Sequence, residues 1–592
     1  MPYFDRFARK PRRLFATLGA ATLAFVTVLS GATASAQRIA PSTVEPARPQ
    51  ESLEEPPVAQ SLPRRAVQLR RSQQAPQGAD QIAFTFRQLD IRGAFAMDPD
   101  RLRAAWPHRS GDVVTVEEVF RFANAVTGLY AKAGYALSFA VVPEQDIDNG
   151  VVLIEVVEGY IDSFEIVGDG VDEETAEAVG EEETTAPAPF IRIIERMARR
   201  MMRARPLRAA DLERYVLLIN DLPGLAISTT LTPSAASGAA TLRIEILERQ
   251  SVSVETSYNN FITEALDRHV AGGTVTLNRL LTGADQLRFT GWRGAVSDAY
   301  WSVSGDYSLG LGSEGTRVGV SGLHSSSDPQ GDFLDALEYL GRTTTGSVFM
   351  TYPMIRRRSQ NVSLTAVASF SNAEADILET ALTRDRLRTL ELMATYDFAD
   401  ATRAVSFLRL GFTRGLDIAD ATGNSRANAN VEYTLVKLDA QRDQPLFRAF
   451  SGEIGAQLSL HGQAAIGPNA LFSVAECAYG GRRFGRAYDS GILVGDRCLL
   501  GAAELRWRGR FAGGLSGDVY GFVDVGLVEQ KGALEPGELR DRSAASAGAG
   551  LRLRLTDRVD GLAETSWTVK DPTGLAAFED DVRVNASLRA RF

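Results

Sequence analysis

The chain has 592 residues, 44% of them apolar and 23% charged, with a formal net charge of −10. That length calls for several folding units, the balance excludes wholesale disorder, and the acidic total excludes a general nucleic-acid binder, which would present a basic face. The four histidines (His108, His269, His324, His461) are scattered singly and no G-x-S-x-G elbow occurs, which argues against a triad hydrolase or a His-based zinc site.

The N-terminus opens with Arg6, Arg9, Lys10, Arg12 and Arg13 ahead of LFATLGAATLAFVTVL and the small residues SGATASA. A basic region, a short apolar core and Ala34-x-Ala36 predict a secretory signal peptide over 1–36, cleaved after Ala36. A membrane anchor would need about 20 apolar residues and different flanks. Arg12-Arg13-Leu14-Phe15 leaves the twin-arginine and general export routes open. No later segment carries the ~18 apolar residues of a transmembrane helix, so a membrane-spanning form must be a closed β-barrel. Residues 37–80, rich in Pro, Gln, Glu and Arg, read as a flexible leader, with RRAVQLRRSQQ (64–74) as its one helical candidate.

From Phe84 the texture changes. FTFRQLDI (84–91) alternates as a strand, and a helix is expected near 98–106. Thr115-Val-Glu-Glu118 is a capping box opening a helix with Val119, Phe120, Ala123, Val126 and Tyr130 on one face, ended by Gly134. ALSFAVVP (136–143) and VVLIEVVEG (151–159) follow as strands. The resulting β-α-α-β-β unit occupies 81–160. The order recurs over 161–250: strand IDSFEIVG, a partly helical stretch 172–203 interrupted by EEETTAPAP, helix RAADLERYVLLIND stopped by Pro223-Gly224, then strands AISTTLTP and TLRIEILE. Two such units make a tandem repeat. Their open strand edges could capture an unfolded chain by strand addition. Asp98-Pro-Asp100 and the acidic run 172–184 lack the ligand spacing of a calcium loop and read as solvated surface acids.

After Gln250 the helical pattern stops, and alternating segments separated by Gly, Asp, Asn and Ser turns fill residues 251–592. In VRVNASLRARF, Val582, Val584, Ala586, Leu588, Ala590 and Phe592 share one face while Arg583, Asn585, Ser587, Arg589 and Arg591 share the other. An unbroken apolar face opposite a charged one is the pattern of strands between lipid and a wet lumen. At roughly 20 residues per strand and connection, about 16 antiparallel strands are expected. The terminal aromatic Phe592 fits a barrel whose last strand closes against its first.

One stretch breaks the alternation: GGRRFGRAYDSGILVGD, 480–496, bracketed by Cys477 and Cys498. In an oxidising compartment an even pair invites a disulfide, and two free buried thiols are the alternative that spacing leaves open.

Taken with the tandem units, GLYAKAGYALSFAVVPEQDIDNGVVLIEVVEGYI (128–161), LERYVLLINDLPGL (212–225), GRAY (485–488) and GFVDVG (521–526) resemble the outer-membrane transporters of two-partner secretion, the TpsB exporters of haemolysins and filamentous haemagglutinins. The resemblance implies that 81–160 and 161–250 are polypeptide-transport-associated (POTRA) domains in the periplasm and 251–592 a transmembrane β-barrel in the outer membrane of a Gram-negative bacterium. It implies that Gly485, Arg486 and Tyr488 form a loop motif folded back into the pore, with Arg486 meeting Asp524 of a wall motif made by Phe522, Asp524 and Gly526. Alternation agrees, since Val519, Val523, Val525 and Leu527 leave Asp524 on the lumen side. The family's Arg-Gly is Arg486-Ala487 here.

The implied role is a protein-translocating pore that recognises a large secreted exoprotein, β-helical and of haemolysin or adhesin type, and passes it unfolded to the cell surface. It needs no cofactor, catalytic residue or metal, binds no nucleic acid, and depends on the barrel assembly machinery for insertion. In the family an N-terminal helix plugs the resting pore, and residues 64–74 are the candidate. A barrel-insertion factor shares the plan but usually carries more POTRA units, and a passive porin would not need the tandem periplasmic domains.

Overall fold

In the computed structural model the described residues are 42–45, 47–53, 61, 73–147, 149–169, 171, 188–532, 534, 539–572 and 582–592. The signal-peptide region and the acidic run 172–184 lie outside them.

In the first unit the helix Val116–Lys132 starts at the Thr115–Glu118 capping box and buries Val119, Phe122, Ala123, Val126 and Tyr130. It packs on a sheet ordered Gln88–Arg92, Val151–Val157, Phe139–Val141, the first pair parallel and the second antiparallel. The expected strand 84–91 is two strands, because the chain changes partner midway. Ala83–Thr85 pairs with a short strand, Val113–Thr115, that alternation did not reveal, and Gln88–Arg92 pairs with Val151–Val157. The break is held where the Phe86 N–H donates to the Asp112 carbonyl and the Arg87 N–H to that of Gly150. Glu158 ties the unit together, accepting from the Phe95 and Ala96 amides and from the Tyr130 hydroxyl at 2.7–2.9 Å. Burial, then the Glu158 bond, holds the Tyr130 phenol above its ordinary pKa.

The second unit repeats the plan. Helices Pro189–Met202 and Ala209–Asn220 cover a sheet ordered Tyr160–Gly168, Ala239–Arg249, Leu225–Pro233. Its core joins Ile161, Ile194, Met197, Ile219, Leu242 and Ile244. Backbone bonds link the units: the Leu207 amide donates to the Gly159 carbonyl and the Ala209 amide to that of Gly134. The second unit is also docked on the turns at one end of the barrel. Arg356 grips Asp221 with two bonds of 2.6 and 2.7 Å, the Tyr215 hydroxyl donates to Glu314, and Arg214 donates to the Pro353 carbonyl.

Sixteen antiparallel strands, from Val252–Asn259 to Val582–Arg591, close into a barrel. Closure is made by pairs from Ser587↔Asn259 to Arg591↔Glu255, extended by mutual bonds between the backbones of Phe592 and Val254. On the last strand Val582 and Val584 face outward while Arg583 and Asn585 are buried inward. Such closure leaves the barrel sheet with no wholly unpaired edge strand, as a lipid environment demands.

The leader also holds structure. Residues 64–72 lie outside the described residues and Gln73–Gln74 are not helical. Among the described leader residues the α-helix is Ala47–Leu53, which lies inside the barrel, where Gln50 meets Ser302. Its sequence, ARPQESL, shows no apolar period. Pro49 is tolerated because it falls in the first turn, and so short a helix depends on contacts rather than propensity. Leu53 packs with Ile262, Val270 and Tyr300, and Val44 with Leu334 and Tyr339.

Candidate functional site

The strand Ser516–Glu529 sorts its side chains between two environments. Val519, Val523, Val525 and Leu527 are 44–55% exposed on the outer face, whereas Asp524 is fully buried on the lumen face. Phe522 and Tyr520 share that inner face, each opposite a register-partner glycine, Gly548 and Gly550, whose missing Cβ leaves room for the ring.

The segment 480–496 folds inward against this wall. Its base is a small hairpin, Cys477–Tyr479 with Leu493–Gly495. A disulfide joins Cys477 to Cys498, the second residue of the strand Arg497–Arg510, with Cα atoms 6.2 Å apart. His461 lies beside the sulfurs with Nδ1 2.9 Å from an Asp439 oxygen; the sulfurs are bonded to each other rather than poised for a metal. Gly480 and Gly485 adopt left-handed φ of 114° and 78°, and a Cβ at 485 would stand 2.7 Å from the Tyr479 ring. Ala487 is buried outside the left-handed region, so a methyl group is accommodated there.

Between these turns Arg486 enters a pocket of acids. Its Nε and Nη2 donate to the two oxygens of Asp524 at 3.0 and 2.8 Å, and its backbone N–H donates to the same carboxylate at 3.1 Å. Nη1 donates to Glu504 at 2.7 Å and to Glu564 at 3.3 Å. The guanidinium carbon lies 3.4 Å from the centroid of the Phe522 ring. Neighbours complete the set: Arg552 pairs with both oxygens of Glu504, and the Tyr520 hydroxyl donates to Glu564. Taking charges out of water is expensive, and it is offset only where geometry is good and every donor finds an acceptor. Here a planar fork meets three carboxylates and an aromatic face, a task suited to Arg rather than Lys.

Other loop residues bind other strands. The Tyr488 hydroxyl lies 2.8 Å from the carbonyls of Ala545 and Lys570. Asp489 accepts from Arg583 at 2.6 Å and from the Thr263 hydroxyl, and Arg483 donates to Asp439. On the loop's far side the leader attaches: Arg48 donates to the carbonyls of Ser473 and Glu476, and the Ser42 hydroxyl to that of Gly491. Arg426 pairs with the side chains of Glu476 and Asp496 and donates to Gln530, tying three outer loops together.

The structure therefore brings Gly485, Arg486, Tyr488, Phe522 and Asp524 into one cluster. Gly526 lies under Tyr479. Cys477 and Cys498 sit at the loop base, and Phe592 stands apart at the barrel closure. Sequence reasoning did not assign Glu504, Glu564, Arg552 or Arg48. The first three fall on the polar face of alternating strands, which marks them as inward but not as neighbours of the loop. Chemically the cluster is a clamp of charge-assisted hydrogen bonds on one guanidinium.

Comparison with known proteins gives a consistent pattern. Residues 238–553 match the family described as haemolysin secretion/activation protein ShlB/FhaC/HecB, and residues 84–159 match the ShlB-type POTRA domain. The heme/hemopexin transporter protein HuxB of Haemophilus influenzae strain 86-028NP is 21% identical over 454 residues, spanning 74% of this chain and 75% of that protein. The structure of CdiB from Escherichia coli superposes with a TM-score of 0.71 at 19% identity, over 92% of this chain and 96% of that one. CdiB from Acinetobacter baumannii gives 0.61 at 15% identity, over 90% and 95%.

Proposed function

The chain belongs to the haemolysin secretion/activation protein family, the outer-membrane transporters that secrete partner proteins in two-partner secretion, and on that premise we propose how its parts divide the work. The family is one of transporters rather than enzymes. The partner is a large β-helical exoprotein of haemolysin or adhesin type. It arrives unfolded in the periplasm and is taken up by the strand edges of the POTRA domains, where main-chain bonds give affinity independent of sequence. It then crosses through the barrel lumen, and its folding outside biases movement outward.

The observation that carries this reading is the loop pinned in the lumen by Arg486 and Asp524 while the POTRA end is docked on the opposite mouth. Gly485, Arg486 and Tyr488 on the loop, with Phe522, Asp524 and Gly526 on the wall, are holding and gating residues. The Cys477–Cys498 bond fixes the loop base, and the leader helix closes the remaining space at rest. The barrel assembly machinery inserts the chain, and Phe592 belongs to the strand that closes it.

The path is tested with a photo-crosslinking residue at Ser347, which faces the lumen and pairs with Ser369 at 2.9 Å, or at Val348, which is 57% exposed on the lipid face. Crosslinks to the exoprotein during secretion are expected from 347 and not from 348. Equal crosslinks from both would refute passage through the lumen.

A further inference from the structure

The first POTRA unit has a sheet edge at whose end the leader is held. Among the described residues the strand Phe139–Val141 pairs only with Val151–Val157 within its sheet. Along its other side the Ala140 amide donates to the Thr127 hydroxyl of the neighbouring helix at 2.9 Å. One residue past the strand, Val142 meets the leader residue Gln73. The Val142 N–H donates to Gln73 Oε1 at 2.8 Å, and Gln73 Nε2 donates back to the Val142 carbonyl at 3.4 Å. Across the groove Asn124 reads the backbone of the same residue. Its Oδ1 accepts from the Gln73 N–H, and its Nδ2 donates to the Gln73 carbonyl, both at 3.1 Å.

The chemistry of this slot is that of a peptide unit. A primary amide carries one carbonyl acceptor and N–H donors, so Gln73 gives Val142 the two-way exchange that a paired strand residue would give. The same substitution occurs once more in this sheet: Gln145 Oε1 accepts from the Leu153 amide at 2.7 Å and its Nε2 donates to the Leu153 carbonyl at 2.8 Å. Gln145 lies within its own domain, eight residues from Leu153. Gln73 instead belongs to the leader, whose upstream part, Ala47–Leu53, lies inside the barrel.

We propose that Asn124 and Val142 form a backbone-reading slot on the first POTRA unit, filled at rest by Gln73 as a placeholder, and that an extended segment of the exported protein takes the slot by displacing the leader. The proposal rests on the export reading above and adds the residues and the competitor. Because both walls address N–H and C=O groups, the slot accepts an extended chain of varied sequence, the form in which an unfolded cargo arrives.

The test uses the full-length protein in detergent and a fluorescent peptide of residues 68–78, QLRRSQQAPQG. Gln73→Pro removes both the side-chain amide and the backbone N–H from the tethered leader. The tethered copy competes at an effective concentration on the order of a millimolar, so the peptide is expected to bind the Gln73→Pro protein at least about tenfold more tightly than wild type. Adding Asn124→Ala should abolish that binding. Asn124→Asp, of the same shape but lacking the donor, should weaken it, which separates loss of the slot from loss of fold. Equal binding to wild type and Gln73→Pro, or binding indifferent to both Asn124 substitutions, would overturn the slot. That assay needs no exported protein, so its failure is distinct from failure of the export reading. In cells, Asn124→Ala should lower exoprotein secretion several-fold with the folded barrel present at its normal level; undiminished secretion would overturn the assignment of the slot to the exported protein.

Discussion

Gly526 lies directly beneath the aromatic ring of Tyr479, so close that a Cβ at 526 would enter the ring. The wall motif thus supplies an acid, Asp524, for the loop's arginine and, two residues on, a bare backbone patch for the tyrosine at the loop base. The Tyr479 hydroxyl reaches the Asp524 carbonyl at 3.4 Å.

Gly526→Val should displace Tyr479 and loosen the loop, at a cost of roughly 1–3 kcal/mol typical of overpacking. Limited proteolysis within 480–496 reads this out. Val525→Ala, on the neighbouring outward-facing position, should leave the loop protected. Equal cleavage of both variants would contradict the packing.

Arg486→Ala leaves Asp524, Glu504 and Glu564 without their shared cation. Breaking a buried ion pair by removing one partner costs about 3–5 kcal/mol, so the denaturation midpoint of the barrel should fall. Arg486→Lys keeps the charge but cannot engage Asp524 with two parallel donors, and its midpoint should lie between the other two. A lysine variant indistinguishable from wild type would show that charge alone holds the loop.

The Cys477–Cys498 bond closes a loop with a sequence separation of 21, and a disulfide over a loop of that size is worth about 3 kcal/mol. Reduction should lower the midpoint of wild type and leave Cys477→Ser/Cys498→Ser unchanged. A wild-type protein indifferent to reductant would contradict a stabilising role.

The docking of the second POTRA unit should depend on alkaline pH through Tyr215. Burial, then its bond to Glu314, holds the Tyr215 phenol up at about 12. A raised pKa means the contribution is complete below the ordinary tyrosine value of about 10 and is lost as pH rises through the folded value. A distance probe between residue 213 and residue 358 should therefore lengthen above pH ~10 in wild type. The transition should be absent from Tyr215→Phe, and its persistence there would assign it to another group.

Arg48→Ala removes the donors that the leader offers to the carbonyls of Ser473 and Glu476. Resting single-channel conductance in planar bilayers should rise relative to wild type. Unchanged conductance would mean that the helix Ala47–Leu53 does not limit the pore.

Periodicity made much of this architecture legible and left particular contacts hidden. VRVNASLRARF showed which residues of the last strand face inward because alternation has only two outcomes per residue. It could not show that Arg583 reaches Asp489, since that depends on how a distant loop folds. Asp524 was readable as a lumen acid, and the resemblance supplied Arg486 as its partner. Glu504, on the strand that follows the loop, and Glu564, 78 residues away, join the same guanidinium only through strand registers and the inward fold of the loop. The leader helix escaped notice because ARPQESL has no apolar face and takes its order from the lumen around it. Phe86 sits where one apparent strand changes partner, a break that pattern alone does not record.

The central claim is export of a partner protein through this barrel. Its most direct test is the amount of the secreted partner protein that reaches the medium of cells carrying wild type, Arg486→Ala or no transporter. Release with wild type, impairment with Arg486→Ala and absence without the transporter are the results expected. Equal release from all three strains would contradict the account.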